Sequence, residues 1–168
     1  MSFNLSDRRS FIAASGLAAA LPILASCGSG VIEARKERSF RVTKTEAQWR
    51  RELTRSEFRI LREAGTERAY TSPLNDEKRP GTFVCAGCEN RLYSSEHKYD
   101  SRTGWPSFWQ PIENGAVGTS TDYKIGYPRT EVHCADCGGH LGHIFGDGPR
   151  PTGQRHCING TALDFIPA

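Results

Sequence analysis

The fold is decided by residues 130–146, which read TEVHCADCGGHLGHIFG. Two short runs, 130–134 around Val132 and 140–146 with Leu141, Ile144 and Phe145, flank a Cys-x-x-Cys-Gly-Gly turn, so the stretch predicts a β-hairpin with two thiols at its tip. A second pair with the same spacing, Cys85 and Cys88, lies earlier in the chain. This doubled pair organises the rest of the interpretation.

The two cysteine pairs predict a structural zinc site. Each Cys-x-x-Cys turn presents two thiolates to one point, and four thiolates satisfy tetrahedral zinc without an open position for substrate. The ligands would be Cys85, Cys88, Cys134 and Cys137. The 45 residues between the pairs exceed a compact zinc ribbon, so the metal would join two distant hairpins. Two disulfides are the alternative in an oxidising compartment.

The chain beyond residue 70 predicts antiparallel β structure. Short runs rich in Val, Ile, Tyr and Phe alternate there with Gly, Pro and Asn-Gly turns. Strands are expected near residues 81–85, 90–93, 107–112, 117–123, 130–134, 140–146 and 154–165, the last with an interruption at Asn159-Gly160. The expected class is mainly β, with two antiparallel sheets in a sandwich or partly open barrel.

Two short helices are expected before the strands. Thr45-x-x-Gln48 and Thr54-x-x-Glu57 are capping boxes, which satisfy free backbone donors at a helix start. Apolar residues follow at helical spacing, and the second helix is expected to end near Gly65.

Composition excludes some classes of function. The 168 residues carry 22 Lys+Arg against 19 Asp+Glu, and the net charge of +3 lacks the basic stripe that nucleic-acid binding needs. An aromatic fraction of 10% does not fit a disordered chain. We expect a monomer and no nucleic-acid partner.

The N-terminus predicts export. Arg8 and Arg9 precede an uncharged apolar run too short to span a bilayer, a pattern that resembles a twin-arginine signal. Leu24-Ala-Ser-Cys27 resembles a lipoprotein peptidase box, which would make Cys27 the lipidated first residue of the mature chain. Cleavage after small residues without lipidation is the alternative. The expected divisions are a signal at 1–26, a tether at 27–44 and a domain at 45–168, placed in the periplasm or anchored on the outer side of a membrane.

Cys157 is the thiol left over after zinc and lipid take the other five. In an extended segment Arg155, Cys157 and Asn159 share one face and His156 takes the other. The Arg155 cation would favour the thiolate, so Cys157 is a candidate nucleophile. A buried cysteine that only fills space is the alternative.

Two further elements could serve such a nucleophile. His140 and His143 offer an acid catalyst if Gly142 permits a turn that brings the rings together. Trp105, on a loop stiffened by Pro106, could be a platform for an apolar substrate group. Each of these features is also common in ordinary cores.

Five motifs in order resemble the type B methionine sulfoxide reductases. They are Gly104-Trp-Pro-Ser-Phe108, His140-Leu-Gly-His-Ile-Phe145 with Asp147-Gly-Pro149, Arg155-His-Cys-Ile-Asn159 and the two cysteine pairs. The likeness spans about residues 45–167. It implies two antiparallel sheets, short N-terminal helices, a structural zinc and reduction of the R epimer of methionine sulfoxide.

By position, the resemblance makes Cys157 the nucleophile and His140, His143 and Asn159 active-site polar groups. It places Trp105 against the substrate methyl group. Attack by the Cys157 thiolate on the sulfoxide sulfur, with protonation by an imidazole, would leave a sulfenic acid. Oxidised proteins would be the substrates and a thioredoxin-like protein the electron donor. The rival class is a non-catalytic zinc-clamped module that binds ligands or peptides.

The sequence departs from the family pattern at two positions. His156 stands where members usually have Tyr, which affects the shape of the nucleophile strand. Thr103 stands where many members carry the resolving cysteine, so the usual intramolecular disulfide cannot form. Recycling of Cys157 is therefore expected to differ.

Overall fold

A computed structural model describes residues 39–168. Both predicted helices are present, α1 at Glu46–Glu52 and α2 at Arg55–Leu61. Each begins with the predicted capping box, since the side chains of Thr45 and Thr54 accept from the third backbone N–H of the helix and a Gln or Glu side chain accepts in return. Helix α2 ends at Leu61, earlier than the expected boundary near Gly65.

Nine strands follow the helices. They are β1 Gly81–Cys85, β2 Arg91–Ser94, β3 Lys98–Tyr99, β4 Ser107–Phe108, β5 Val117–Asp122, β6 Arg129–Cys134, β7 His140–Phe145, β8 Arg155–Ile158 and β9 Leu163–Pro167. They form two antiparallel sheets, one in the order β2-β1-β9 and one in the order β3-β4-β8-β7-β6-β5. The mainly β class with two antiparallel sheets is confirmed.

Two strands differ clearly from the expectation. Strand β3 has only two residues, too few for an alternating pattern to indicate it. Strand β4 ends at Phe108 rather than Ile112; Pro111, which lies beyond it, has no N–H to donate to a ladder. The long C-terminal run divides at the expected interruption, and its halves β8 and β9 pair in different sheets.

Aromatic side chains fill the space between the two sheets. The Tyr93 ring from β2 stacks on Phe108 from β4 at 4.3 Å between centroids, and Phe83 from β1 meets the same ring edge-on at 5.0 Å. All three side chains are fully buried. Burial of such a ring stabilises the fold by about 1.5–3 kcal/mol, so this cluster holds the two sheets together.

The packed part of the chain starts before residue 45. The backbone N–H of Val42 donates to the Asp136 carbonyl over 2.8 Å, and the Phe40 ring meets His133 edge-on at 5.9 Å. Arg41 forms an ion pair with Asp136. Residues 40–42, assigned above to the tether, therefore lie against the turn that follows β6.

Candidate active site and metal centre

The candidate nucleophile lies in the middle of the larger sheet. In β8 Cys157 is paired with Ser107 of β4 on one side and His143 of β7 on the other. As the period of two predicts, Cys157 faces one side of the sheet, while His156 turns to the core and contacts Tyr93.

A cavity of about 130 Å³ opens beside Cys157. Its lining combines the candidate nucleophile with an indole, an imidazole, a guanidinium and a phenyl ring. The lining residues are Thr66, Trp105, Arg129, Gly142, His143, Phe145, Cys157 and Asn159. Four of the predicted site residues therefore meet in one place: Cys157, His143, Asn159 and Trp105.

A bulge rather than a turn brings the two histidines together. In a regular strand, residues three apart face opposite sides, but the pairing of β6 with β7 passes from Val132–Gly142 to His133–His140 and leaves one residue of β7 unpaired. The extra residue resets the alternation, and the rings of His140 and His143 lie 5.4 Å apart. The two rings are adjacent as predicted, but a β-bulge brings them together and not a turn at Gly142.

Gly142 has another role than the predicted turn. A Cβ atom at this position would lie 2.0 Å from the Cys157 carbonyl oxygen. Glycine is therefore needed because the backbones of β7 and β8 approach closely next to the nucleophile.

Each histidine has a carboxylate partner. His143 Nε2 lies 2.8 Å from Asp122 Oδ2, and the same oxygen accepts from Arg129 at 2.5 Å. His140 Nδ1 lies 2.7 Å from Glu131 Oε1, and Ser120 donates to the other oxygen of Glu131. Of the two imidazoles only that of His143 lines the cavity.

These pairs shift the pKa values of their members. The backbone N–H of Lys124 and the His143 ring hold the pKa of Asp122 far below its usual range. The hydrogen bond from His140 lowers the pKa of Glu131 to about 2. Burial lowers the pKa of His143, while its bond to Asp122 opposes the change. Both carboxylates are therefore anions that orient an imidazole.

The surroundings of Cys157 have a different net effect on its pKa from the one expected from Arg155 alone. Burial raises the pKa of the Cys157 thiol, and the Thr103 hydroxyl and the Arg155 cation only partly oppose the rise. Arg155 donates two bonds of 2.9 Å to Asp147, and its guanidinium lies 4.4 Å from the centre of the Phe145 ring. Its charge is thus shared with Asp147. The predicted effect of Arg155 on the Cys157 pKa is present in direction, but burial outweighs it, so the resting site favours the thiol.

Glu67 connects Trp105, which forms part of the cavity wall, to the loop after β8. The Trp105 indole N–H donates to the Glu67 carbonyl at 3.3 Å, and the Glu67 N–H donates to Asn159 Oδ1 at 2.9 Å. The Glu67 carboxylate accepts from the N–H groups of Gly160 and Thr161 at 2.6 and 2.9 Å. With its Nδ2 bonded to the Leu141 carbonyl, Asn159 has both ends of its amide engaged by backbone.

The cysteines of the two Cys-x-x-Cys turns, which we call the knuckles, form a second, separate site. Their Sγ atoms all lie within 4.8 Å of one another, and the described cysteines are free thiols rather than disulfides. Cys85 and Cys137 sulfurs are 3.7 Å apart, and those of Cys88 and Cys134 are 3.5 Å apart. Thiolates about 2.3 Å from a tetrahedral zinc stand about 3.8 Å apart, so the cluster fits such an ion.

The two knuckles have the same backbone design. Cys85 and Cys134 end strands, and the residue after each second cysteine, Glu89 or Gly138, has positive φ and donates its N–H to the carbonyl of the first cysteine. Asn90 reaches across to the other knuckle and donates to the Cys134 sulfur at 3.5 Å. The cluster is therefore organised by backbone geometry and by one cross-bond.

Sequence reasoning missed several residues of the active site. Asp122 and Glu131 occur in strands where a polar residue is ordinary on an exposed face, and only the register brings them to the histidines. Glu67 stands in a segment without periodicity. A carboxylate at the strand end that borders the hairpin loop was the one available signal for Asp122.

Cys27, Arg8 and Arg9 lie outside the described residues. Within residues 39–168 the structure has no helix with the length and apolar character needed to cross a membrane.

Comparison with known proteins places this site in a class. A model of the SelR domain matches residues 53–167, so the chain belongs to the SelR-domain family. The following relatives are each a curated protein named peptide methionine sulfoxide reductase MsrB.

The protein from Leptospira interrogans serogroup Icterohaemorrhagiae serovar Lai is 50% identical over 127 residues, which cover 76% of this chain and 97% of the relative. Those from Agrobacterium fabrum and Bradyrhizobium diazoefficiens are 48% and 51% identical over 127 residues and are covered to 94% and 91%, again with 76% of this chain. The predicted class of enzyme, a type B peptide methionine sulfoxide reductase, is confirmed.

Proposed function

We propose that the chain reduces protein-bound methionine-R-sulfoxide to methionine through a sulfenic acid on Cys157. The observation that carries the proposal is the cavity that Cys157 shares with Trp105 and with His143, whose ring is held by Asp122. This arrangement offers a nucleophile, an apolar wall and a proton donor around one small volume.

The residues divide the reaction between them. The Cys157 sulfur attacks the sulfoxide sulfur, and the His143 imidazolium protonates the sulfoxide oxygen. The protonated oxygen passes to Cys157, which becomes a sulfenic acid as methionine leaves, and the thiol proton of Cys157 restores the His143 imidazolium, so the net change is the transfer of one oxygen atom. Only one epimer places its methyl group on Trp105 and its oxygen toward His143. His140, outside the cavity, positions the His143 ring.

Zinc held by Cys85, Cys88, Cys134 and Cys137 is proposed as the structural metal. Its chemical contribution is to join the two knuckles, because four thiolates leave no position for substrate.

The nucleophile is tested with the two separated epimers of methionine sulfoxide. Wild-type protein with dithiothreitol should turn over the R epimer and leave the S epimer nearly untouched, and Cys157→Ser should lose this activity while keeping its fold and metal. Equal rates on both epimers would contradict the proposed pocket. Binding of sulfoxide peptides without turnover in the wild type would favour the alternative, a non-catalytic binding module.

The β5–β6 hairpin, which lies beside the cavity, supports the proposal that the substrate is a polypeptide. Asp122 and Arg129 face each other at its base, and its loop exposes Tyr123, Ile125 and Tyr127 by 66%, 50% and 59%. Exposed apolar side chains next to a small pocket suit the residues that flank a sulfoxide in an unfolded segment. Tyr123→Ser with Tyr127→Ser should raise KM for an oxidised unfolded protein, and KM for free methionine sulfoxide should stay constant. An equal change in both values would contradict this role.

A thioredoxin-like protein is proposed as the electron donor. With Thr103 at the position of the usual resolving cysteine, the donor thiol would attack the Cys157 sulfenic acid directly, releasing water, and a second donor thiol would resolve the mixed disulfide.

Export by the twin-arginine route and lipidation of Cys27 complete the proposal. The supporting observations are the Arg8-Arg9 pair, the apolar run and the Leu24 to Cys27 box. This location would be the outer side of a membrane, where several acyl chains hold a protein firmly. Cys27→Ala should abolish lipid labelling and leave the signal uncleaved, whereas normal processing with release of the domain would favour ordinary cleavage.

A further inference from the structure

Three hydroxyl groups connect Cys157 to a backbone carbonyl of the cavity wall. Thr103 Oγ1 lies 3.9 Å from the Cys157 sulfur, and Ser101 Oγ lies 2.8 Å from Thr103 Oγ1. Ser101 Oγ is also 2.7 Å from Ser107 Oγ, which donates to the Trp105 carbonyl over 3.1 Å. We call Thr103, Ser101 and Ser107 the hydroxyl chain.

Counting protons fixes the direction of every bond in this chain. A carbonyl oxygen only accepts, so the single proton of Ser107 is used on Trp105. Ser101 must then donate to Ser107, and Thr103 must donate to Ser101. The Thr103 oxygen is left only as an acceptor toward Cys157, so the thiol S–H is the donor of the last bond.

We infer that Ser101 and Ser107 are positioning residues that keep Cys157 in its thiol form by anchoring the hydroxyl chain to the Trp105 carbonyl. When the thiolate forms, each hydroxyl keeps its own proton and rotates. Thr103 then donates to the sulfur, Ser101 to Thr103 and Ser107 to Ser101. The Trp105 carbonyl loses its side-chain donor, so the thiolate state has one hydrogen bond fewer.

The charged and titratable groups near Cys157 do not replace this anchor. Arg155 on the same strand is paired with Asp147, and His143 on β7 is paired with Asp122. Tyr99 on β3 has a buried hydroxyl without a hydrogen-bond partner among the described residues. Burial raises the pKa of Cys157 and a hydrogen bond with Thr103 opposes the rise. The anchor limits this opposing effect, because it holds Thr103 as an acceptor from the thiol.

The consequence rests on the proposed nucleophile. Thiolates are oxidised far faster than thiols, so an anchored thiol is protected from peroxide until substrate binds and the chain reverses. Ser107 is fully buried and cannot exchange its bond to Trp105 for one to bulk water.

Substitutions at different positions of the hydroxyl chain should change the rate of Cys157 alkylation in opposite directions. Ser107→Ala and Ser101→Ala free the hydroxyls nearer Cys157 to donate toward sulfur, so iodoacetamide should alkylate Cys157 about 3- to 10-fold faster at pH 7. Thr103→Val removes the donor to the thiolate and should slow alkylation by a similar factor. Thr103→Ser keeps the hydroxyl and should behave as wild type.

The measurement is the rate of Cys157 alkylation against pH in the full zinc-loaded chain, followed by mass spectrometry of the Cys157 peptide. Circular dichroism and zinc content confirm that each variant is folded, and Ser101, which is half-buried, provides a second variant if Ser107→Ala does not fold. Rates that fall alike in Ser101→Ala, Ser107→Ala and Thr103→Val, or that do not change with Ser101→Ala and Ser107→Ala, would overturn the inference. Because no sulfoxide is used, this result is independent of whether the chain turns over the proposed substrate.

Discussion

The Tyr93 hydroxyl and His156 Nδ1 lie 3.1 Å apart in the core between the two sheets. Burial lowers the pKa of His156 to about 4, since the ring is only 2% exposed and the charged form would lose its hydration. The core therefore holds a neutral imidazole on the strand that carries Cys157.

This relationship predicts acid sensitivity of the fold. An unfolded histidine has a pKa near 6.5, so between about pH 6.5 and 4 the unfolded chain binds a proton that the folded chain does not. Stability should be fully present above pH 6.5 and fall by about 1 kcal/mol per pH unit below it. His156→Phe should flatten the dependence in urea unfolding measured from about pH 4.5 to 7.5. An unchanged slope in the variant would assign the sensitivity to other groups.

The Asp122–His143 pair predicts a shift in the pH dependence of turnover. Activity that needs the His143 imidazolium falls as pH rises through its pKa, and Asp122 raises that pKa against the effect of burial. Asp122→Asn removes the charge, so the falling limb of kcat/KM should move to lower pH. Glu131→Gln, which alters the partner of His140, is the matched control and should leave that limb in place. Equal shifts in both variants would contradict the distinct role of His143.

Thr103→Cys should create an internal resolving thiol. The Thr103 hydroxyl is 3.9 Å from the Cys157 sulfur, so a thiol introduced there lies close enough to attack a sulfenic acid. After one turnover without reductant, wild type should be trapped by a dione reagent, whereas peptide mapping of the variant should show a disulfide between the introduced thiol and Cys157. The double variant with Cys157→Ser should show neither product. A disulfide to Cys157 in oxidised wild type would point to another resolving residue.

Cys88→Ser should unfold the domain rather than weaken it locally. It removes one of four converging sulfurs, and both knuckles depend on the same cluster. We expect loss of zinc from about one ion per chain, and destabilisation above about 4 kcal/mol, beyond ordinary point substitutions. Ala86→Ser, inside the same turn, should keep metal and stability. Full stability of Cys88→Ser without metal would refute the structural role of the cluster.

Local patterns were sufficient for much of the fold. The capping boxes, most strands, the cysteine cluster and the opposite orientations of His156 and Cys157 follow from nearest neighbours and from the periods of helix and strand. Long-range register does not, because β6 and β7 contain a bulge that no composition signal marks. For this reason the sequence indicated both histidines but neither carboxylate. Glu67 was missed because its carboxylate accepts from Gly160 and Thr161, more than ninety residues later in the chain.

The sequence also does not show how strongly a side chain is desolvated by burial. Arg155 beside Cys157 suggested a thiolate, but the effect of a neighbouring charge depends on what else compensates it. Asp147 accepts from the Nε and Nη2 groups of Arg155, and the effect of burial on the thiol exceeds that of the Arg155 charge. Only the packed structure gives this balance.

The pairing of β1 with β9 has a consequence for biosynthesis. Cys85 is the register partner of Leu163, and β8, just before β9, lies between β4 and β7. Neither sheet can close while residues 155–167 are still inside the ribosome. Contacts this distant in sequence make folding slow, so the domain should acquire its structure only after these last strands have been synthesised. During elongation the thiols of Cys85 and Cys88 are therefore made well before β9, the strand that pairs beside Cys85.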